Sequence, residues 1–284
     1  MKVLVLSYNN YVNFGDRLGL DLVVRLLPPE AELFVSPLPP FWKQIDDASF
    51  DMVVVGTGHS VFHQTLERAF LEFLKKQKIV VGIFGLQYHQ MLPLDSVKEL
   101  FSIVDCWFSR SAYDIEFLQD LSSLPRQFAH LGDWLINAFP IVPWVDGRTC
   151  EVPADFIMQS RDIQRTIQTI QRFRRVSSAR LHPVLCALAS ADEVRYQEQA
   201  EMGSTCLSGK FNSMFLDIFG KSPEPGEWFK VDRGDVSSYK SSVYLKTELM
   251  REYLWSALGS SLADRLSQKT AASFIQCLDS KPLQ

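Results

Sequence analysis

Short runs of uninterrupted apolar residues recur along the first half of the chain. Each is followed by glycine or polar residues and then by a segment with helical spacing. The pattern predicts buried strands at Lys2–Ser7, Met52–Val55, Ile79–Phe84, Cys106–Ser109 and Phe128–Leu131, with a short one at Glu32–Val35. Between them, apolar residues spaced three and four apart predict helices over Asp16–Leu27, Leu66–Lys76, Ser96–Val104 and Ala112–Leu121. Strands that are apolar throughout must be covered on both faces, so their alternation with helices predicts a parallel α/β sheet.

Pro140–Pro153 carries proline, glycine and charge and reads as a linker, dividing the chain at about 1–140 and 150–284. Beyond it the alternation repeats on a smaller scale. Strand signals fall at Phe156–Met158, Val176–Ala179 and Val194–Gln197, and helical signals at Asp162–Phe173, His182–Ala189 and Phe211–Phe219. Two further helices are expected over Val243–Ser260 and Leu262–Leu278.

In such sheets ligands bind beyond the carboxyl ends of the strands. Those ends are unusually rich in glycine and polar residues: Asn13–Asp16, Gly56–Ser60, Gly85–His89, Arg110 and Gly132-Asp133. Gly15 permits a tight turn, and Asp16 is placed to cap the helix that follows or to face a substrate. Gly56-Thr57-Gly58-His59-Ser60 has the look of a phosphate-cradling turn, although it has neither Walker nor dinucleotide-fingerprint spacing.

In the second half, Ser178-Ala179-Arg180-Leu181-His182 places a permanent planar cation two residues from a side chain that moves protons near neutral pH. Lys210 follows a glycine ahead of a helix and adds a third positive group to Arg110 and Arg180. Together these suit an anionic substrate bearing carboxylate or phosphate. His59, His89 and His130 also lie near strand ends, but no pair has zinc-ligand spacing, so no metal site is expected.

Composition narrows the class. The net charge of −4 argues against nonspecific nucleic-acid binding. Five scattered cysteines without a CxxC pair predict reduced thiols and a cytoplasmic setting. The apolar start Val3–Leu6 reads as a strand rather than a leader, and no run approaches the ~20 residues of a bilayer span. A soluble protein is expected, with peripheral membrane contact left open.

Taken in order, these pieces resemble the polysaccharide pyruvyl transferase family. Asn13, Gly15 and Asp16 match its N-x-G-D; Gly56, Gly58 and Ser60 loosely match its glycine-rich turn, interrupted here by Thr57 and His59. Arg110 and Leu118 match its strand-end Arg and helix, with Ser111 in place of the usual Asp. Gly132 and Asp133 match its G-D, and Ser178, Arg180 and His182 its S-x-R-x-H, here with Pro183 following; Lys210 and Phe219-Gly220 match its last motif. The resemblance covers about residues 1–220 and implies a GT-B-like pair of Rossmann-type domains with parallel sheets. The short interval between Gly132-Asp133 and Ser178 implies an abbreviated second domain.

The resemblance further implies transfer of a pyruvyl group from phosphoenolpyruvate to two hydroxyls of a sugar or lipid-linked glycan, forming a ketal in exopolysaccharide or cell-surface glycan assembly. No dissociable cofactor is implied. Arg110, Arg180 and Lys210 would pair with the donor, His182 would act as general acid, and Asp16 would orient or deprotonate an acceptor hydroxyl. Two other readings remain open at this point: a GT-B-type transferase using a nucleotide-sugar donor, and a non-catalytic binding subunit.

Overall fold

The computed structural model describes residues 1–8, 13–43, 49–152 and 162–262, with side chains as far as residue 259. It is a two-domain, Rossmann-like α/β fold. The first sheet is built from β1 (Lys2–Leu6), β2 (Glu32–Ser36), β3 (Met52–Val55), β4 (Val80–Gly82), β5 (Cys106–Ser109) and β6 (Gln127–His130). Every pairing in it is parallel, in the order β2-β1-β3-β4-β5-β6. Helices α1 (Phe14–Leu26), α2 (Arg68–Lys75), α3 (Leu94–Ile103) and α4 (Ala112–Asp120) connect the strands.

Alternation along each strand explains the two covered faces. Val3, Val5, Met52, Val54, Cys106 and Phe108 join Phe14, Leu18 and Val23 of α1 in one core. Leu4, Leu6, Val53, Val55 and Trp107 join Phe70, Leu74, Val97 and Leu100 of α2 and α3 in the other. Successive side chains point to opposite faces, so an apolar run of four or five residues feeds both cores.

The second sheet comprises β7 (Asp146–Val152), β8 (Phe173–Ser178), β9 (Glu193–Tyr196) and β10 (Phe229–Lys230), in the order β10-β9-β8-β7. Its first three strands are parallel and β10 is antiparallel at the edge. Helices α5 (Ile163–Gln171), α6 (Leu181–Leu188) and α7 (Lys210–Phe219) accompany it. The strand β7 corrects the linker reading: residues 146–152 belong to the sheet, and Thr149–Val152 pair with Arg175–Ser178. Charged and polar residues on an exposed edge strand hid the strand pattern. The strand expected at Phe156–Met158 lies outside the described residues.

The last described element, α8 (Arg233–Leu262), begins ten residues before the helix expected from Val243 and packs back onto the first domain. Its Thr247 Oγ1 accepts a bond of 3.0 Å from Asn137, and Trp255 donates to the Leu26 carbonyl at 2.8 Å. Val236, Val243, Met250, Leu254 and Leu258 bury themselves in the core that α1 and the second sheet share. The helix expected over Leu262–Leu278 lies almost wholly outside the described residues. Among the described residues no helix is long and apolar enough to cross a membrane.

Candidate active site

The strand order reverses direction between β1 and β3, with β2 placed outside β1. A crevice opens beyond the strand ends at such a switch point. Residues following β1 and β3 line it from below, and residues following β8 and β9 close it from the second domain. The resulting cavity holds about 340 Å³. Asn13, Asp16, His59, Arg180, His182 and Lys210 line it together.

Each side chain has a local reason for its place. Asn13, not Asp16, caps α1: its Oδ1 accepts the Gly15 N–H at 3.1 Å, and Asp16 falls in the first helical turn, facing the cleft. Ser178 does not reach the cleft. Its hydroxyl donates to the Val152 carbonyl and accepts the Arg180 N–H, both at 3.0 Å, locking the turn that aims Arg180 and His182. Gly209, at φ +74°, turns the chain so that Lys210 opens α7. Lys210 Nζ meets the Gln199 side chain there.

Arg110 lies beneath the floor, only 2% exposed. It forms a buried ion pair with Asp133, and its Nη2 stands 3.1 Å from His182 Nε2. A guanidinium only donates, so Nε2 accepts and the neutral ring carries its proton on Nδ1. Gly58 is where the groups converge. A Cβ added there would lie 3.2 Å from Arg110 Nη1, 3.4 Å from Asp16 Oδ1 and 3.7 Å from Ser60 Oγ.

Gly132 and Asp133 serve this arrangement from behind rather than lining the cleft. Asp133 caps the short 3₁₀ turn Trp134–Ala138 through Leu135 N–H, and its own N–H donates to Tyr239 Oη at 2.6 Å. Gly132, at φ +85°, has no room for a side chain because Tyr239 Oη would stand 2.7 Å from its Cβ. Gly56 is likewise structural, at φ +92° against Phe84.

Burial and crowded charge shift the titrations. Burial raises Asp16 to about 7, against the pull of Arg110, Lys210 and Arg180. Burial lowers Lys210 to about 8, with Glu198 and Asp16 supporting its charge and Arg180 and Arg110 opposing it. Burial first, and then Arg110 and Lys210, hold both His182 and His59 well below the usual imidazole range. Perturbed titratable groups gathered in one cleft make it the candidate reactive site.

Two of the other three histidines are committed elsewhere. His89 pairs with buried Asp114 at 2.8 Å, and His130 with Asp217 of α7 at 3.1 Å. Among the described residues no three His, Cys, Asp or Glu side chains gather as a metal site.

Part of the cleft carried no recognisable motif. Tyr8, Phe62, Gln64 and Glu201 also line it, while Gln87 and Tyr88 come from the Gly85–His89 strand end. Tyr88 is the one of these with a legible physical signature, a left-handed backbone at φ +55°. That signature is conformational and has no counterpart in sequence spacing.

No family model matches the chain, and no curated protein does. Among solved structures, an uncharacterized protein from Klebsiella pneumoniae subsp. pneumoniae NTUH-K2044 is similar in fold, at 13% identity and a TM-score of 0.48, over 79% of this chain and 91% of that one.

Proposed function

We propose that the protein is a cytoplasmic transferase that moves a pyruvyl group from phosphoenolpyruvate to two hydroxyls of a sugar or lipid-linked glycan, in exopolysaccharide or cell-surface glycan assembly. The observation that carries this reading is the meeting of Arg180, Lys210, His182 and Asp16 around one cleft, with Arg110 directly beneath. A donor bearing both a carboxylate and a phosphate finds Arg180 and Lys210 there, each able to make charge-assisted bonds, with the charge of Arg110 beneath them. The donor's identity rests on the family resemblance; the residues themselves call for a polyanion.

The wiring of His182 gives the donor a part in its own activation. Burial first, and then Arg110 and Lys210, hold the ring neutral. A bound polyanion offsets both cations and draws the Arg110 N–H away from Nε2. His182 then takes up a proton from solvent and gives it to the departing phosphate as general acid, and a proton released from an acceptor hydroxyl restores the balance. Asp16, whose carboxyl titrates at about 7, holds an acceptor hydroxyl.

Wide separation of Arg110, Arg180 and His182 would favour the non-catalytic reading; Arg180 and His182 line one cleft, and Arg110 stands 3.1 Å from His182. The nucleotide-sugar reading is separated by ligand choice: phosphoenolpyruvate must stabilise the protein in a thermal-shift panel in which uridine and guanosine diphosphates leave it unchanged. Stabilisation by a nucleotide alone overturns the proposal.

A further inference from the structure

His59 interrupts the glycine run of the family resemblance, so it is this chain's own feature. Its ring lines the cleft. Both ring nitrogens are buried, and neither has a hydrogen-bond partner among the described residues. The ring is tightly held. Gly85 makes room for it, since a Cβ at Gly85 would stand 2.5 Å from its Cδ2 and 2.9 Å from its Nε2. Its backbone carbonyl is fixed by the Gln87 side-chain amide at 3.0 Å.

The two cleft histidines are therefore wired differently. The lone pair of His182 is occupied by Arg110. The lone pair of His59 is directed at no side chain. A neutral imidazole presents one donor and one acceptor on separate nitrogens, and its acceptor nitrogen is satisfied only by a partner that donates. Carboxylate and ionised phosphate oxygens only accept; a hydroxyl does both. The neighbouring cations Arg110 and Lys210 and the rings of His182 and His89 all oppose a charge on His59. Once His182 carries a proton, that opposition grows, so His59 stays the neutral member of the pair.

Resting on the transferase reading above, we propose that His59 positions one acceptor hydroxyl by accepting its hydrogen bond on the neutral ring, while Asp16 serves the other. Ketal formation consumes two hydroxyls, and each has to be held in place. As the first hydroxyl oxygen bonds to C2 of phosphoenolpyruvate, the C2–C3 π pair takes a proton at C3. The C2–O bond to phosphate then breaks, phosphate leaving with the electron pair, and the second hydroxyl oxygen bonds to C2. Two hydroxyl protons are released; one is balanced at C3 and one on the departing phosphate.

The test uses the full chain with ¹⁵N-labelled histidine, assigned with His59→Gln and His182→Gln. On adding a panel of neutral methyl hexopyranosides (gluco, galacto and manno), a His59 ring nitrogen shifts toward its hydrogen-bonded position while the ring stays neutral from pH 6 to 8. His182 responds instead to phosphoenolpyruvate. With the same glycosides as acceptors, His59→Gln keeps phosphoenolpyruvate affinity within about threefold and lowers kcat for phosphate release by about 10²-fold or more. An imidazolium at His59 on donor binding, full turnover in His59→Gln, or equal loss of donor binding in both variants overturns the assignment. If the wild type fails to bind phosphoenolpyruvate, the transferase reading fails. The glycoside response then decides separately whether His59 is a hydroxyl site.

Discussion

Gly15 and His182 meet face to face across the two domains: a Cβ on Gly15 would stand 1.6 Å from Nδ1 of His182. Gly15 lies in the first turn of α1, where alanine is otherwise the better helix former by about 1 kcal/mol. Gly15→Ala therefore sets a steric overlap with the His182 ring against that gain. It displaces the imidazole and raises the Kd for phosphoenolpyruvate about tenfold or more, while local helix propensity improves. Calorimetry and thermal unfolding on the same sample check both halves. Unchanged affinity shows that the His182 ring does not belong to the donor site.

Burial sets a second expectation through Asp16. Its folded carboxyl titrates at about 7, and an unfolded one at about 3.9. The acid is raised on folding, so its contribution to stability is complete below pH ~4 and is lost as pH rises through 7. Asp16→Asn removes that loss. At pH 8 it raises Tm by about 2–4 °C, equivalent to about 1 kcal/mol, and at pH 4 it changes Tm little. A lower Tm at pH 8 contradicts the burial argument.

The same titrations fix the pH dependence of anion binding. Lys210 loses its proton at about 8 and Asp16 loses its own at about 7, so the cleft becomes steadily less positive as pH rises. Between pH 7 and 9 a phosphate monoester is already fully ionised, its second pKa being about 6. Donor affinity must weaken by about tenfold or more over that range. In Lys210→Met the remaining slope is shallower. Affinity that rises with pH is incompatible with this cleft.

The floor depends on a chain of buried contacts that begins on α8. Tyr239 Oη accepts the Asp133 N–H, and the Asp133 carboxylate pairs with Arg110. Asp133→Asn leaves the Arg110 charge without its counter-ion and costs about 3–5 kcal/mol in denaturant unfolding. Tyr239→Phe strands one buried N–H and costs about 1–3 kcal/mol. A cost below 1 kcal/mol in Asp133→Asn indicates that Arg110 is compensated elsewhere.

Most of the first domain was legible because its strands are apolar throughout and end on glycine. The helices α1, α2 and α4 could be seen from the spacing of Leu18, Leu26, Leu71, Leu74 and Leu118. Strand β7 was not legible: Asp146, Arg148 and Glu151 sit on an edge where nothing forces apolar residues. The gathering of Asn13, Asp16, His59, Arg180, His182 and Lys210 was anticipated because strand ends in a doubly wound sheet converge on one crevice. The hidden part was division of labour. Asn13 rather than Asp16 caps α1, Ser178 and Asp133 act behind the site, and Arg110 is buried under it. Those roles follow from hydrogen bonds between residues far apart in sequence, and spacing carries no trace of them.

The central claim is that one interdomain cleft binds a donor carrying both carboxylate and phosphate. Isothermal titration of phosphoenolpyruvate into the wild-type chain and into Arg180→Ala at pH 7 tests it most directly. Saturable 1:1 binding in the wild type, weakened about tenfold or more in Arg180→Ala with Tm unchanged, is the result expected. Absence of binding in the wild type, or equal binding in both proteins, contradicts the account.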